Sequence, residues 1–309
     1  MMYAIVLAAL LWGTTGTAAS LLPADVGPLA TGAATMCVGG LLLALTAPRL
    51  TAGVLRGGAR SWRWILPGAL GVVAYPLAFY SSMSLAGVAI GNVVALGTAP
   101  VFAALLERFV DPPERRRRMD PRWAASAGAA VVGVALLAVF GHGPDASAAS
   151  VGGGSGESGD LVAGVALGLL AGLAYAGYTY TAGRLMHEGH PSRGAMAAQF
   201  GVGAVLLAPV LMLTGAPLLQ SGGSIGIAAY LALGPMFVAY LAFGRGLRTV
   251  PGSRATTVTL LEPFVATLLA VIVVGERLSA PGWLGLALVL AGVVAVVVAR
   301  PAPTAAVRP

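Results

Sequence analysis

Apolar runs of about 17 to 25 residues recur along the whole chain and are separated by short polar segments. A hydrocarbon core about 30 Å thick requires roughly 20 such residues per helix. The composition agrees, because 58% of the 309 residues are hydrophobic and only 9% are charged, whereas a soluble domain carries about 25% charged residues. The sequence therefore predicts an all-α polytopic membrane protein.

Ten runs are long enough to be transmembrane helices. They cover approximately residues 3–21, 27–47, 64–83, 88–107, 123–141, 161–182, 194–214, 224–243, 255–275 and 281–299. With the N-terminus in the cytoplasm, every arginine except Arg277 falls on the cytoplasmic side, in agreement with the positive-inside rule. No basic residue precedes Arg49, so the first run is expected to be a retained span and not a cleaved signal peptide. Ten helices with both termini cytoplasmic are predicted.

Several classes of function are disfavoured. The chain has no lysine, so it has no glycine-rich phosphate loop with lysine and no direct coupling to ATP. Its arginines lie in short loops, which argues against a nucleic-acid surface. The single cysteine, Cys37, cannot form an internal disulfide. His187, Glu188 and His190 lack the further ligands of a metal site. We expect no enzyme activity, metal or cofactor.

Residues 142–160 are rich in glycine and serine and are predicted to form a flexible extracytoplasmic linker. It separates a first five-helix unit, residues 1–141, from a second, residues 161–300, which is followed by a cytoplasmic tail, residues 301–309. Because five is odd, the two units enter the membrane from opposite sides. Inverted repeats of this kind are common in secondary transporters.

The two units also align in sequence. Placing Pro100 on Pro263 brings Trp12 onto Tyr175 and lays "GTAPVFAALL" over "LLEPFVATLL". Either the halves are related, or apolar helices of limited alphabet align by chance. The proline match, the aromatic match and the loop charges are separate observations, and together they favour a repeat.

Three stretches resemble the EamA-type transporters of the drug/metabolite transporter superfamily. They are Trp12-Gly13, "ALGTAPVFAALLE" (95–107) and "LLEPFVATLLAVIVVGERLSAPGWLG" (260–285). The resemblance covers essentially residues 1–300. It implies an inner-membrane secondary carrier that moves amino acids, related metabolites or drugs, commonly outward, by alternating access. Two features depart from the family pattern: span 2 lacks an arginine, and the glutamate after Pro100 is displaced relative to that after Pro263.

Two alternatives remain. A carrier of the same fold for sugar or nucleotide derivatives would be expected to place arginine or lysine deep in a span to meet phosphate, and none is visible. A receptor or membrane-embedded enzyme would require a soluble domain or clustered catalytic groups, which are also not visible. The expected partners are therefore a small-molecule substrate, the lipid bilayer and a coupling ion such as the proton.

Glu262 is a carboxylate inside an apolar run. A charge near the membrane centre costs about 2.5–3.5 kcal/mol on insertion scales, so such residues usually face the bundle interior or a wet cavity. Glu262 either binds a substrate amine or exchanges a proton, or it satisfies neighbouring helices. Pro100 and Pro263 are helix-kink candidates, because proline removes a helical hydrogen bond.

Further candidates for substrate binding lie on the predicted spans at 3–21, 64–83, 88–107, 161–182 and 224–243. They are Trp12, Tyr80, Asn92, Tyr175, Tyr178 and Tyr240. Aromatic rings suit an organic substrate or a cation, although Tyr80 and Tyr240 lie near predicted membrane boundaries, where aromatic belts are expected anyway. Trp12 and Tyr175 are the strongest candidates for substrate binding, because the alignment of the two halves places one on the other.

Charged residues at helix ends are expected to anchor those ends or to gate the two openings of the substrate pathway. Glu107 has this position at the inner end of span 4, and Glu276 and Arg277 have it at the outer end of span 9. The arginine block at residues 114–118 is interpreted as a topology signal, with contact to anionic lipid as the alternative.

Overall fold

The computed structural model describes residues 2–19, 21–23, 25–86, 88–111, 121–140, 158–269, 271–272 and 278–298. Glu276, Arg277, the arginine block at 114–118 and the predicted tail at 301–309 lie outside the described residues. The same holds for the predicted linker up to residue 157. Its last residues, 158–160, belong to the following helix.

The described residues before the linker are almost entirely helical. Their helices are α1 (Met2–Gly13), α2 (Thr15–Ala19), α3 (Pro28–Leu45), α4 (Pro48–Leu55), α5 (Gly58–Ala86), α6 (Val88–Phe109) and α7 (Pro121–Phe140). Those after the linker are α8 (Ser158–His187), α9 (Ser192–Thr214), α10 (Gly222–Leu231), α11 (Ala239–Leu247), α12 (Gly252–Val258), α13 (Leu261–Leu269) and α14 (Ala280–Val298). A 3₁₀ turn, Ala216–Leu219, precedes α10, and a π-helical segment, Ala232–Val238, joins α10 to α11.

A helix, or a group of consecutive helices, coincides with each of the ten predicted spans. Among the described residues, seven helical stretches are long and apolar enough to cross a bilayer. Leu29–Leu45 and Pro48–Leu55, bent by 96°, would make an eighth if they are counted as one span. The all-helical membrane class is confirmed, whereas the number ten and the orientation of the termini stay predictions.

Apolar side chains lie both inside the bundle and on its outside. Ile5 and Phe200 are fully buried, whereas Met212 and Leu213 are more than four-fifths exposed. Exposed apolar side chains are favourable where the surrounding medium is lipid. The surface is therefore that of a membrane protein.

Helices from the two sides of the linker pack against each other throughout. α3 lies on α9, α6 on α12 and α7 on α14, and α8 packs between α5 and α6. α1 in turn contacts both α11 and α13. In each of the first three pairs, a helix packs against its own counterpart in the other predicted five-helix unit.

One end of the bundle carries arginines at the ends of several helices, among them Arg63 on α5, Arg108 on α6, Arg184 on α8 and Arg245 on α11. We call this the arginine-rich end. The sequence predicts that it faces the cytoplasm.

Candidate functional site

The predicted span at 255–275 is broken in its middle. α12 ends at Val258 and α13 begins at Leu261, so Thr259 and Leu260 lie between two helices. Pro263 falls in the first turn of α13, where a missing N–H costs little because that group has no helical partner anyway. The expected kink at Pro263 is thus a break that precedes the proline.

Pro100 lies in a different setting. It is inside α6, which is a continuous helix from Val88 to Phe109. The two prolines that align in sequence therefore occupy an intact helix in one case and the start of a new helix in the other.

Glu262 is the second residue of α13, and its side chain is partly buried. Among the described residues, no hydrogen bond or ion pair is made by its carboxylate. It lies within electrostatic range of the side chains of Tyr75, Tyr80, Tyr175 and Tyr240. A carboxylate in an apolar bundle without a described partner is free to bind a cation or a proton.

Four of the predicted aromatic residues meet in one cluster. The Trp12 ring lies 5.0 Å from Tyr240 and 6.4 Å, edge-on, from Tyr175. Tyr178 lies 5.3 Å from Tyr175 and 6.2 Å from Tyr240. All four side chains are buried. The rings come from α1, α8 and α11, so this aromatic cluster joins both sides of the linker.

Hydrogen bonds orient the rings of the aromatic cluster. Trp12 Nε1 donates to the Pro235 carbonyl oxygen at 2.8 Å, within the π-helical segment. The Tyr175 hydroxyl donates to Thr259 Oγ1 at 2.8 Å, at the break between α12 and α13. The hydroxyls of Tyr178 and Tyr240 are 2.9 Å apart. Two of these three bonds end at helix irregularities, which are frequent at functional sites.

Tyr80 and Asn92 are placed apart from these four rings. Tyr80 is half-buried, contacts the Phe79 ring at 5.6 Å and packs over Gly32 of α3. Asn92 is half-buried on α6, and its Oδ1 atom is buried without a hydrogen-bond donor from the described residues. Tyr80 remains close to the Glu262 charge, whereas no hydrogen bond among the described residues joins Asn92 to the aromatic cluster.

Sequence reasoning missed several members of this region. Phe200 lies 4.4 Å from Tyr240 and Phe243 lies 5.2 Å from Trp12. Phe200 belongs to α9, which coincides with the predicted span at 194–214, and none of the predicted site residues lies on that span. Phe243 follows Tyr240 by three residues and therefore shares its helix face, so that spacing could have identified it. Thr259 and Pro235 enter only through tertiary hydrogen bonds.

At the arginine-rich end, carboxylates join residues before the linker to residues after it. Glu107 Oε1 accepts a hydrogen bond from the Ser253 backbone N–H at 3.0 Å, and Oε2 accepts one from Ser253 Oγ at 2.7 Å. This carboxylate thereby joins the last turn of α6 to the first turn of α12. Whether Glu107 anchors a helix end or gates the carrier stays a prediction.

Two further carboxylates act at the same end. Asp111 Oδ1 accepts from the Tyr180 hydroxyl at 2.7 Å and from Arg184 Nη1 at 3.2 Å. Glu188 Oε1 accepts from Arg63 Nη2 at 2.5 Å and from Trp64 Nε1 at 2.9 Å. These pairs again connect residues before and after the linker.

Burial by itself would raise the pKa of the Glu188 carboxyl. The hydrogen bonds from Arg63 and Trp64, together with the charges of Arg63 and Arg60, outweigh burial and hold that pKa below its usual value. The Glu188 carboxylate therefore stays ionised at neutral pH, and its ion pairs persist.

The opposite end of the bundle contains a cavity of about 460 Å³. Its lining residues come from α2, α10 and their neighbours: Thr14, Thr17, Ala18, Leu21, Gly223, Gly226, Ile227, Tyr230 and Leu269. The hydroxyls of Thr14 and Tyr230 are 2.6 Å apart. Thr14 lies two residues after Trp12, and Tyr230 lies five residues before Pro235. Its volume is typical of a small-molecule site.

The apolar helices, the lipid-type surface and the broken span together define a polytopic helical membrane protein. A family model described as "EamA-like transporter family" matches residues 1–139 and 162–298. The chain belongs to this family and is a multi-pass transporter of the plasma membrane. The resemblance drawn from the three sequence stretches is thereby confirmed.

Two individual proteins are similar along nearly their whole length. "Uncharacterized transporter YwfM" of Bacillus subtilis (strain 168) is 33% identical over 296 residues, which are 94% of this chain and 92% of that protein. A protein of known crystal structure shares 22% identity and a TM-score of 0.75, with 95% of each chain covered. At that identity the second likeness concerns the fold alone.

Proposed function

We propose that this protein is a secondary carrier that binds small organic molecules with a protonated amine, such as amino acids and related compounds. The observation that carries the proposal is the partly buried Glu262 carboxylate, which has no hydrogen-bond or ion-pair partner in the described part of the chain and lies beside buried aromatic rings. In a medium of low dielectric constant, such a carboxylate gains strongly from a cationic partner.

The aromatic cluster supports a cationic ligand over an anionic one. An ammonium group is attracted to the faces of tryptophan and tyrosine rings, and the rings of Trp12 and Tyr175 lie in the region of the Glu262 charge. A sugar phosphate or nucleotide derivative would need arginine or lysine at this depth, and no described contact joins an arginine to the aromatic cluster. The same carboxylate could exchange a proton with the substrate, which would couple transport to a proton gradient.

Alternating access is supported by the difference between the two ends of the bundle. Glu107, Asp111 and Glu188 close the arginine-rich end by contacts between the two predicted five-helix units, residues 1–141 and 161–300. The opposite end holds the cavity. The two segments matched by the family model also lie on either side of the linker. Opening toward the cytoplasm would require breaking the three carboxylate contacts while the cavity closes.

The cavity and Glu262 lie along one path. Leu269 lines the cavity and stands seven residues after Glu262, hence on the same face of a helix. A substrate leaving Glu262 would then enter the cavity lined by Leu269, Thr14 and Tyr230. We propose outward transport on the basis of the family resemblance.

The test is a ligand screen followed by transport. Purified protein is heated with amino acids, organic amines, neutral sugars and nucleotide sugars, and compounds that raise the unfolding midpoint are taken into counterflow assays in liposomes. Amines are expected to stabilise the protein and to exchange. Stabilisation by nucleotide sugars alone would favour the alternative cargo. If no compound stabilises or exchanges, the transport proposal itself loses support.

Glu262→Gln is the decisive variant, and Asp25→Asn is its control because Asp25 is an exposed carboxylate in a loop. We expect Glu262→Gln to elute as folded protein yet to lose exchange or its pH dependence, while Asp25→Asn retains both. Full exchange with an unchanged pH response in Glu262→Gln would sink the role of this carboxylate.

A further inference from the structure

A short helix at the arginine-rich end turns sharply from the direction of the helix before it. α4 follows α3 at an angle of 96°. The turn arises at Ala47-Pro48, where proline disfavours helical backbone in the residue before it, and Ala47 has φ −140° and ψ 50°. Because α3 occupies a predicted membrane span, α4 lies roughly along the membrane surface.

α4 has one buried and one exposed face. Thr51 and Val54 are buried, and a Cβ atom at Gly194 of α9 would lie 3.1 Å from Val54 Cγ2. Arg49 and Arg56 are exposed. They stand seven residues apart, hence on one face and about 10 Å apart along the axis.

The two arginines are available for a ligand. Among the described residues, neither Arg49 nor Arg56 makes a side-chain hydrogen bond or an ion pair. Their neighbours Arg60 and Arg63 are instead engaged by Glu188, at 3.7 Å and 2.5 Å. No acidic side chain among the described residues therefore pairs with Arg49 or Arg56.

Two exposed apolar side chains flank these charges. Leu50 is 38% exposed, and Trp62 is 39% exposed with its indole N–H donating to the Leu55 carbonyl oxygen at 2.9 Å. Tryptophan is enriched where protein meets the headgroup region. We call Arg49, Leu50, Arg56 and Trp62 the α4 patch. Its combination of basic and apolar side chains is typical of helices that lie in the membrane interface.

We propose that the α4 patch binds the headgroup of an anionic phospholipid, with the phosphate between Arg49 and Arg56. Leu50 and Trp62 contact the upper acyl chain region. A soluble phosphate ligand would make no use of the two exposed apolar groups, so their position favours lipid. This inference does not depend on which substrate is carried.

The test measures lipid binding to the full chain in neutral detergent. Phosphatidylglycerol and phosphatidylcholine are titrated separately, and binding is followed by native mass spectrometry. An arginine near an anionic membrane contributes about 1 kcal/mol, or roughly fivefold in affinity. Arg49→Gln/Arg56→Gln is therefore expected to bind phosphatidylglycerol about 25-fold more weakly than the unaltered protein.

Arg245→Gln/Arg248→Gln is the matched control, because it removes the same charge from exposed positions at the same end. It should bind phosphatidylglycerol as the unaltered protein does. Equal loss in both double variants, or equal affinity for the two lipids, would overturn the site. Competition by inorganic phosphate at equal concentration would overturn the choice of lipid. If the first double variant aggregates, Arg49→Gln and Arg56→Gln are tested singly against Arg248→Gln, with about fivefold weakening expected in each.

Discussion

Replacing Gly292 with alanine tests how closely α7 and α14 approach each other. A Cβ atom at Gly292 would lie 2.5 Å from the Ser126 carbonyl oxygen and 2.8 Å from the Ala130 nitrogen, and both are backbone atoms. Ordinary contacts to a Cβ begin at 3.4 Å, so the helices would have to separate by several tenths of an ångström. Overpacking of this kind costs about 1–3 kcal/mol.

Gly128→Ala is the matched control, since nothing lies within 4 Å of a Cβ atom at that position of α7. Alanine is favoured over glycine within a helix by about 1 kcal/mol. This gain applies to both variants and cancels when they are compared. We therefore expect the free energy of unfolding of Gly292→Ala to be about 1–3 kcal/mol below that of Gly128→Ala.

The single cysteine gives a convenient assay. Cys37 is buried, so a thiol-reactive dye reports its exposure as purified protein unfolds in a denaturant titration. Equal stability of the two variants would refute the close approach of the helices. Gly133→Ala meets the Gly285 and Val289 backbone from the other side, at 2.6 Å and 2.7 Å. Because one separation relieves both contacts, Gly133→Ala and Gly292→Ala should combine less than additively.

Two further predictions use the same dye assay. Trp12→Phe removes the hydrogen bond to Pro235 and leaves that buried carbonyl without the indole donor, so it should lower the free energy of unfolding by about 1 kcal/mol. Trp283→Phe is the control and should be neutral, because that side chain is 51% exposed. Equal effects of the two substitutions would contradict the hydrogen bond. The ionised Glu188 stabilises the fold fully above its usual pKa of about 4.5 and loses that effect as the pH falls through its lowered pKa. The unfolding midpoint should therefore fall on acidification, and Glu188→Gln should reduce that dependence; an identical pH profile in the variant would speak against these ion pairs.

The helices were predictable because the length of an apolar run is a local property of the sequence. Each predicted span has a helical counterpart for this reason. The interruptions were not predictable, since they depend on distant contacts. In the π-helical segment, the Pro235 carbonyl oxygen accepts a hydrogen bond from the indole N–H of Trp12, which is far away in sequence. α4 falls between the predicted spans at 27–47 and 64–83, and its helix is packed on α9 through Val54.

The candidate site was predictable in its tryptophan and tyrosine members, but not in its phenylalanines or in Thr259. Trp12, Tyr175, Tyr178 and Tyr240 stood out because they are rare residue types within apolar runs, and the structure brings them together. Phe200 has no such signal, because a phenylalanine in an apolar span is ordinary. The roles of all these residues in binding remain predictions.

The break between α12 and α13 indicates why the second half of the chain differs from the first. Both halves have a proline at the aligned position, yet α6 runs through Pro100 unbroken, and so does α9 through Pro209. Proline alone therefore does not break these helices. In the same alignment, Leu96 and Ala99 stand where the second half has Thr259 and Glu262, and neither side chain can form a hydrogen bond.

Thr259 Oγ1 accepts from Tyr175 and donates to the Thr256 carbonyl oxygen, so the break is held by a buried side-chain network. Glu262 follows in the first turn of α13, where a carboxylate is favoured by the helix dipole. The polar residues of the second half thus account both for the position of the break and for the presence of a carboxylate beside it. The cation site proposed at Glu262 would therefore belong to the second half alone, because Ala99 of α6 offers no carboxylate at the aligned position.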